Sequence, residues 1–310
     1  MNSQTGTVFK STGSWYRIRL ADGQFMDCRV RGKLRLQGLK TTNPVAVGDV
    51  VEVMTDPANP GTGIITAIKP RRNYVMRRSV HKTDHGHLLA ANIDQAMLMV
   101  TLSMPRTSYG FIDRFLVSTE AFRIPALLII NKTDLYGPEE QTAMQEMIDI
   151  YEKIGVHCLL AAVIKNQGVE QIKKLLAGKT TLVAGHSGTG KSTLMNKLHP
   201  AINQKIQEVS TFANKGVHTT TFAEMFEIAP GTFVIDTPGI KELGLIDIGE
   251  DELADYFPEM RALKGACKFN NCRHLQEPQC AVRAAVEAGE IAASRYHSYL
   301  SMLADDDNRR

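Results

Sequence analysis

The residues with the clearest chemistry form a glycine-rich segment just past the middle of the chain: Gly185, His186, Ser187, Gly188, Thr189, Gly190, Lys191 and Ser192. The apolar, β-prone run 181–184 precedes it and the helix-prone run 193–198 follows it. Glycines let backbone N–H groups turn toward a phosphate, and the N-terminus of the following helix adds a partial positive charge. The pattern predicts phosphate binding, with Lys191 on the β- and γ-phosphates, Ser192 on Mg²⁺ and Thr193 beside them.

A second motif, Asn131-Lys132-Thr133-Asp134, directly follows the apolar run 126–130. Asn-Lys-x-Asp at the end of a buried strand is the guanine-reading signature of GTPases. A carboxylate accepts hydrogen bonds only, and guanine offers it two donors, the N1–H and the exocyclic amine, that adenine lacks in that geometry. Asp134 therefore predicts GTP rather than ATP, with Asn131 and Lys132 in the same site.

A third motif follows the glycine-rich segment. The apolar run 233–236 leads into Asp236-Thr237-Pro238-Gly239, where Asp236 would hold Mg²⁺ through water and the Gly239 N–H would meet the γ-phosphate. Between the two, the run 216–221 lies where a first switch loop supplies a hydroxyl to Mg²⁺, and Thr220 is our choice. The order is guanine motif, phosphate loop, switch I and switch II, which is a circular permutation of a GTPase domain.

Permutation is physically reasonable because the ends of a domain tend to lie close together at its surface. The segment from about residue 137 to residue 179 would join the old ends. Its run 139–154 predicts a helix, because apolar residues recur there at helical spacing. We assign Ala161-Ala162 to the short second loop that contacts guanine.

Four possible metal ligands lie close together near the C-terminus: Cys267, Cys272, His274 and Cys280. Three thiolates and one imidazole suit tetrahedral Zn²⁺, and four protein ligands leave no open position for catalysis. The alternatives are disulfides or a chance cluster, and disulfides are disfavoured in a reducing cytosol. The spacing thus predicts one structural zinc ion.

The order of these motifs, the Gly-x-His-Thr-Thr-Thr switch and the C-terminal cluster together resemble the RsgA (YjeQ) family of GTPases that depend on the small ribosomal subunit. The resemblance covers nearly the whole chain. It implies an N-terminal OB-fold, a central permuted GTPase domain and a C-terminal zinc domain. It also implies a role late in the maturation of the bacterial small subunit, with GTP hydrolysis stimulated by that subunit.

The hydrolysis step needs a residue or partner that orients water. Many GTPases use a Gln just after Asp-x-x-Gly, but Ile240 occupies that position here. His218, two residues before Thr220, is our candidate, as the family resemblance also indicates. A surface or RNA contact by His218, and activation of the water by the ribosome, remain alternatives. Hydrolysis should therefore be slow without RNA.

Positive charge is concentrated at the start of the 310-residue chain. Residues 1–80 hold thirteen Lys or Arg against five Asp or Glu, a net charge of +8, while the rest carries −5. This asymmetry suits contact with a phosphate backbone. Candidate RNA contacts are Arg29, Arg31, Lys33, Arg35 and Lys40, for which a solvated loop is the alternative.

Five short β-prone runs within residues 7–68, separated by turn signals, suit an OB-type barrel that binds nucleic acid. Trp15, Tyr16 and Phe25 would either stack on bases or fill the barrel core. The predicted architecture is α/β in three domains: the barrel over 1–70, the permuted GTPase domain over 71–245, and the helical zinc-binding domain over 246–310.

The sequence thus predicts a GTPase that uses Mg²⁺ and one Zn²⁺ and binds the small ribosomal subunit and its rRNA. A cytoplasmic monomer is expected, since no signal peptide and no membrane-spanning run is visible. A regulatory GTPase with a different RNA or protein client is the alternative. A nucleic-acid-binding module with a vestigial nucleotide site is disfavoured, because all the phosphate and base motifs are present. We also expect switch II to lead directly into the zinc domain and to reorient it.

Overall fold

The structure, a computed structural model, describes residues 3–30, 43–78, 86–199, 223–236 and 248–304. Within these ranges no helix combines the length and apolar character that crossing a membrane requires.

The N-terminal part is a five-stranded β-barrel. Its strands are β1 (Gln4–Ser11), β2 (Tyr16–Leu20), β3 (Phe25–Val30), β4 (Val50–Thr55) and β5 (Thr62–Ile68). They pair in the order β1, β2, β3, β5, β4, and β4 pairs back with β1, which closes the barrel. Along β2, Tyr16 and Ile18 are buried while Arg17 is exposed, which is the period of two that a one-sided strand requires. The predicted barrel is confirmed.

A hairpin of β6 (Tyr74–Arg78) and β7 (Gly86–Ala91) follows the barrel. The chain between β5 and this hairpin is held by a buried ion pair, in which Arg71 donates to both oxygens of Asp49 at 2.6 Å. A two-donor Arg–carboxylate pair is directional as well as strong. It therefore fixes how the chain leaves the barrel.

The central domain is a six-stranded sheet with helices. Its strands are β8 (Gln95–Val100), β9 (Ala126–Ile130), β10 (His157–Leu160), β11 (Thr180–Gly185), β12 (Glu224–Ala229) and β13 (Thr232–Asp236). The order is β10, β9, β8, β11, β13, β12; all are parallel except β12. Strands such as β8 are buried throughout and, after Gln95, apolar, as expected for a parallel sheet covered on both faces.

Within the described residues, four helices lie between these strands: α1 (Tyr109–Ala121), α2 (Pro138–Lys153), α3 (Val169–Leu176) and α4 (Lys191–Leu198). Helix α2 lies where helical spacing predicted it, with Met147 and Tyr151 buried. Only residues 177–179 separate α3 from β11, so the join between the old ends is much shorter than the predicted segment 137–179, most of which is regular structure.

The C-terminal part packs against α1. It contains a 3₁₀ turn (Leu253–Tyr256) and the helices α5 (Pro258–Arg261), α6 (Ala281–Glu287) and α7 (Ala293–Leu303). The region 250–263 thus contains one turn of 3₁₀ helix and one of α-helix, and the region 281–303 forms two helices. Its hydrophobic core includes Phe257 and Tyr299, and Val117 of α1 belongs to the same cluster.

The barrel and the central sheet meet edge to edge. Strand β1 pairs antiparallel with β12, Lys10 lying opposite Glu224, so eleven strands form one continuous sheet. Phe9 contacts the rings of Phe25 and Phe233 edge-on, with centroids 5.3 and 5.9 Å apart. An aromatic contact therefore bridges the barrel and the strand that ends at Asp236.

Candidate nucleotide and metal sites

The glycine-rich segment forms a loop between β11 and α4, as its flanking residues predicted. Gly190 precedes α4 with φ +99°, a conformation that L side chains rarely adopt. A Cβ at this position would lie 2.3 Å from Asn131 Nδ2, so glycine is needed for space as well. The loop therefore passes close to the guanine motif.

The Asn131 side chain connects the phosphate loop to the turn that begins at Val163. Its Nδ2 donates to the Thr189 carbonyl at 2.8 Å, and its Oδ1 accepts from the Val163 N–H at 3.0 Å. The side chain is buried and both of its polar ends are satisfied, so it is rigidly held. Two motifs 58 residues apart in the chain are thereby fixed to each other.

Lys191 and Asp236 converge at the phosphate end. Lys191 Nζ lies 2.6 Å from Asp236 Oδ1, with Lys191 at the start of α4 and Asp236 at the end of β13. Strands β11 and β13 are parallel neighbours, so the residues following both lie at the same sheet edge. The structure thus brings the phosphate lysine beside the predicted Mg²⁺-side carboxylate, and Ser192 follows Lys191.

The guanine motif borders a cavity of about 370 Å³. It is lined by Asn131, Lys132, Asp134, Leu135, Val163, Ile164, Lys165, Gly190 and Thr193. Lys132 has a left-handed backbone (φ +67°) that begins the 3₁₀ turn Thr133–Leu135, and the turn places the exposed Asp134 at the cavity.

The second wall of this cavity differs from the prediction. Ala161 and Ala162 are buried and are not among its lining residues; the Ala161 N–H donates to Ile130 and the Ala162 N–H to Gln167. The following 3₁₀ turn, Val163–Lys165, lines the cavity instead. Nothing in the sequence pattern marked that turn, apart from its place just after the assigned loop.

Several predicted residues lie outside the described ranges. They are the switch residues His218 and Thr220, Gly239 of the Asp-x-x-Gly motif, and the basic residues Arg31, Lys33, Arg35 and Lys40.

The four predicted zinc ligands come together. The ligand atoms of Cys267, Cys272, His274 and Cys280 all lie within 4.8 Å of one another. His274 Nδ1 is 3.3 Å from Cys280 Sγ and 3.7 Å from Cys267 Sγ. Tetrahedral zinc with Zn–S bonds of about 2.3 Å places neighbouring ligand atoms about 3.8 Å apart. The set therefore fits zinc in chemistry and in size.

Burial and hydrogen bonds act on the protonation of this cluster. Burial, together with the neighbouring thiols, raises the pKa of Cys272 to about 12. Burial lowers the pKa of His274, which keeps its imidazole neutral and able to ligate. The Cys267 and Cys280 sulfurs accept hydrogen bonds from the N–H groups of Ala281 and Arg283. These N–H donors would stabilise thiolates on a metal.

The barrel aromatics divide between core and surface. Tyr16 is buried in the barrel core, whereas Trp15 and Phe25 are 41% and 48% exposed. The Arg17 guanidinium lies 5.0 Å from the Phe25 ring centroid. Arg29 donates to Asp56 at 2.7 Å but remains half-exposed. Two aromatic rings and two arginines of the barrel are therefore at least partly exposed to solvent: Trp15, Phe25, Arg17 and Arg29.

Two family models match the chain. One, described as the RsgA GTPase, matches residues 68–246, and the other, the RsgA N-terminal domain, matches residues 5–65.

Known proteins match over nearly the full length. A small ribosomal subunit biogenesis GTPase RsgA of Cytophaga hutchinsonii is 50% identical over 98% of this chain and 99% of its own. A second protein of that name, RsgA 2 of Bacteroides thetaiotaomicron, is 49% identical over 97% of each chain. The crystal structure of YjeQ from Thermotoga maritima matches with a TM-score of 0.77 and 34% identity, covering both chains completely. The structure of YloQ, described as a circularly permuted GTPase, matches with a TM-score of 0.72 and 29% identity, over 100% of this chain and 96% of that one.

Proposed function

Because this chain belongs to the RsgA GTPase family, we propose that it hydrolyses GTP while bound to the small ribosomal subunit, late in the maturation of that subunit. The chain is a ribosome biogenesis GTPase and a GTP-hydrolysing enzyme. The observation that supports the GTP chemistry is the convergence of the guanine motif, the phosphate loop and Asp236 on one sheet edge, and the names of the relatives support the small subunit as partner.

Each residue of this edge has a task in GTP binding. The carboxylate of Asp134 accepts the two guanine donors, at the mouth of the cavity that Asn131 braces. The N–H groups of the loop 185–190 surround the phosphates, and Lys191 contacts the β- and γ-phosphates. Since Lys191 Nζ already lies 2.6 Å from Asp236, its ammonium is positioned at the end of the site where the γ-phosphate would sit.

Ser192 and Asp236 are the described residues that fit Mg²⁺, because hydroxyl and carboxylate oxygens are its preferred ligands. Thr220 would add a second hydroxyl, and Gly239 an N–H for the γ-phosphate. When bound there, Mg²⁺ would offset the negative charge that develops on the phosphate oxygens during hydrolysis. His218 would orient the attacking water, since Ile240 has no polar group to do so.

The other two parts of the chain bind the partner and stabilise the fold. Zinc held by the Cys₃His cluster has no open position, so it stabilises the C-terminal domain. The barrel contacts rRNA through Arg29 and the basic run 31–40, with Trp15 and Phe25 available to stack on bases. We place the protein in the cytoplasm, where ribosomal subunits are assembled, as a monomer.

The test is the rate of GTP hydrolysis with no addition, with purified small subunits, and with large subunits. We expect strong stimulation by small subunits alone. Lys191→Ala, which removes the phosphate-binding ammonium, should abolish it. If neither subunit changes the rate of hydrolysis, the protein is still a GTPase, but the small ribosomal subunit is not its activator. The alternative, a regulatory GTPase with another RNA or protein client, would then apply.

A further inference from the structure

The geometry points to Arg295 and Phe111 as positioning residues that couple the C-terminal domain to the phosphate loop through helix α1. This inference rests on the proposed binding of GTP at that loop. It concerns residues that lie outside every nucleotide and zinc motif, and it uses a route that does not pass through switch II.

Helix α1 is packed on two sides. Its residues 110–119 are all buried. Phe111 and Phe115, one turn apart, belong to the core of the central sheet. Val117, one turn after Asp113, belongs to the core of the C-terminal domain. Because interiors are close-packed, α1 cannot shift against one side without disturbing the other.

On the C-terminal side, α1 is held by a buried charge network. Arg295 of α7 is 1% exposed and donates to Asp113 Oδ1 at 2.7 Å. The same guanidinium donates to Glu259 through Nε at 2.7 Å, and Tyr151 of α2 donates to Asp113 Oδ1 at 2.8 Å. The two-donor contact with Glu259, through Nε and Nη2, fixes the guanidinium, and its Nη1 then reaches Asp113 of α1. The orientation of α1 is thus tied to that of α7.

On the other side, α1 supports the phosphate loop. The Phe111 ring lies against the His186 ring, with centroids 3.8 Å apart and planes tilted by 38°. The connection from β8 into α1 also touches the loop, since a Cβ at Gly188 would lie 3.1 Å from Pro105 Cδ. From this same connection, the Met104 carbonyl accepts a hydrogen bond from Lys132 of the guanine motif. The start of α1 therefore contacts the phosphate loop, and the connection that leads into α1 contacts both nucleotide motifs.

The contact between α1 and α7 therefore has a consequence for GTP. When the C-terminal domain shifts against α1, for example on binding a partner, Phe111 moves against His186 of the phosphate loop. This movement changes the affinity of the loop for nucleotide. Coupling of this kind is reciprocal, so bound nucleotide also changes the preferred position of α7 against α1.

The test is a double-mutant cycle on the full-length, zinc-loaded protein, reading the dissociation rate of a fluorescent GDP. Arg295→Lys keeps the charge but removes the two-donor contact, and Phe111→Leu removes the ring beneath His186. We expect each variant to release GDP about fivefold faster or more. The double variant should be no faster than the faster single one, because both act through one element.

The matched control is Arg261→Ala. Arg261 Nη1 contacts Glu120 Oε1 at 2.6 Å, so it also joins the C-terminal part to α1, but both side chains are exposed and lie at the end of α1 far from the loop. This variant should release GDP at the wild-type rate. Thermal unfolding and zinc content are measured for every variant; if Arg295→Lys does not fold, Asp113→Asn replaces it in the cycle, because it removes the charge from the α1 side of the same contact.

Unchanged GDP release in the Arg295 variant, or rate effects that multiply in the double variant, would overturn the coupling. If Arg261→Ala accelerated GDP release equally, the coupling would also be overturned, because a general loosening of the interface would then explain the faster release. If the wild-type protein bound no fluorescent GDP at all, the proposed function itself would fail, which separates the two ideas.

Discussion

At the scale of single residues, the guanine and phosphate contacts follow from side-chain chemistry alone. Asp134 was chosen because only a carboxylate matches the two donors of guanine, and the structure places it at the cavity beside the phosphate loop. Its role as the base-reading residue stays a prediction that a substitution can test.

Asp134→Asn should weaken GTP binding about a hundredfold, because two hydrogen bonds to a charged acceptor, worth about 3 kcal/mol together, are lost or weakened. Xanthosine triphosphate should bind the variant better than GTP, since an amide N–H can donate to its C2 oxygen. Equilibrium titration with fluorescent nucleotides measures both affinities. Wild-type affinity for GTP in the variant would contradict the assignment.

The zinc cluster permits a prediction about pH. Burial and the neighbouring thiols raise the pKa of Cys272 to about 12, so this thiol holds its proton throughout the neutral range and zinc must displace it. Zinc affinity should therefore fall as pH falls, by at least about tenfold per pH unit. Burial lowers the pKa of His274, so its proton competes with zinc less than that of an ordinary imidazole would. Competition with a chelating dye between about pH 6 and about pH 8 measures this; zinc affinity independent of pH would contradict it.

At the scale of elements, the edge pairing of β1 with β12 joins the barrel to the nucleotide domain. The pairing is supported on both sides by ion pairs, Lys10 with Glu224 at 2.9 Å and Arg19 with Glu227 at 2.6 Å. These pairs are partly exposed, and exposed pairs contribute little. The buried Phe9 between them should dominate the free energy of this contact.

Phe9→Ala should lower the free energy of unfolding by about 3 to 5 kcal/mol, because it leaves a cavity between the barrel and β13. Phe25→Ala is the control, since Phe25 is about half exposed and should cost only about 1 kcal/mol for the lost ring contact. Urea unfolding followed by circular dichroism compares the two. If both variants lost the same free energy of unfolding, the contact between the barrel and the central sheet would not depend on Phe9.

At the scale of the whole molecule, charge is divided between domains. The excess of positive charge in residues 1–80 suits the phosphate backbone of RNA, and the net negative remainder does not. Binding to the subunit should therefore be driven from the barrel end and should depend on salt.

Arg29→Ala should weaken subunit binding and reduce the slope of log affinity against log salt by about one, as expected when one phosphate contact is lost. Lys173→Ala is the control, because Lys173 is an exposed cation of α3 paired with Glu170 in the central domain. Cosedimentation with small subunits over a range of salt, in the presence of a non-hydrolysable GTP analogue, gives both slopes. An unchanged slope for Arg29→Ala would remove this residue from the interface.

The sequence by itself determined the GTPase motifs, the Cys₃His set that fits zinc and the permuted order, because each motif is a short stretch whose chemistry is set by its own residue types and spacing. The barrel followed from five short β-prone runs separated by turn signals, and the fold prediction is confirmed. Boundaries were less certain where a helix such as α5 is only one turn long, since its length depends on packing rather than on local preference.

Only the tertiary structure decided which elements meet. Arg295 and Asp113 lie 182 residues apart, and no local pattern marks either as a partner of the other. The turn Val163–Lys165 lines the cavity, while the buried Ala161 and Ala162 use their backbone N–H groups in other hydrogen bonds, and their contact with guanine stays a prediction. Such contacts depend on pairs of residues distant in the chain, whose free energy arises only when folding brings them together and removes them from water.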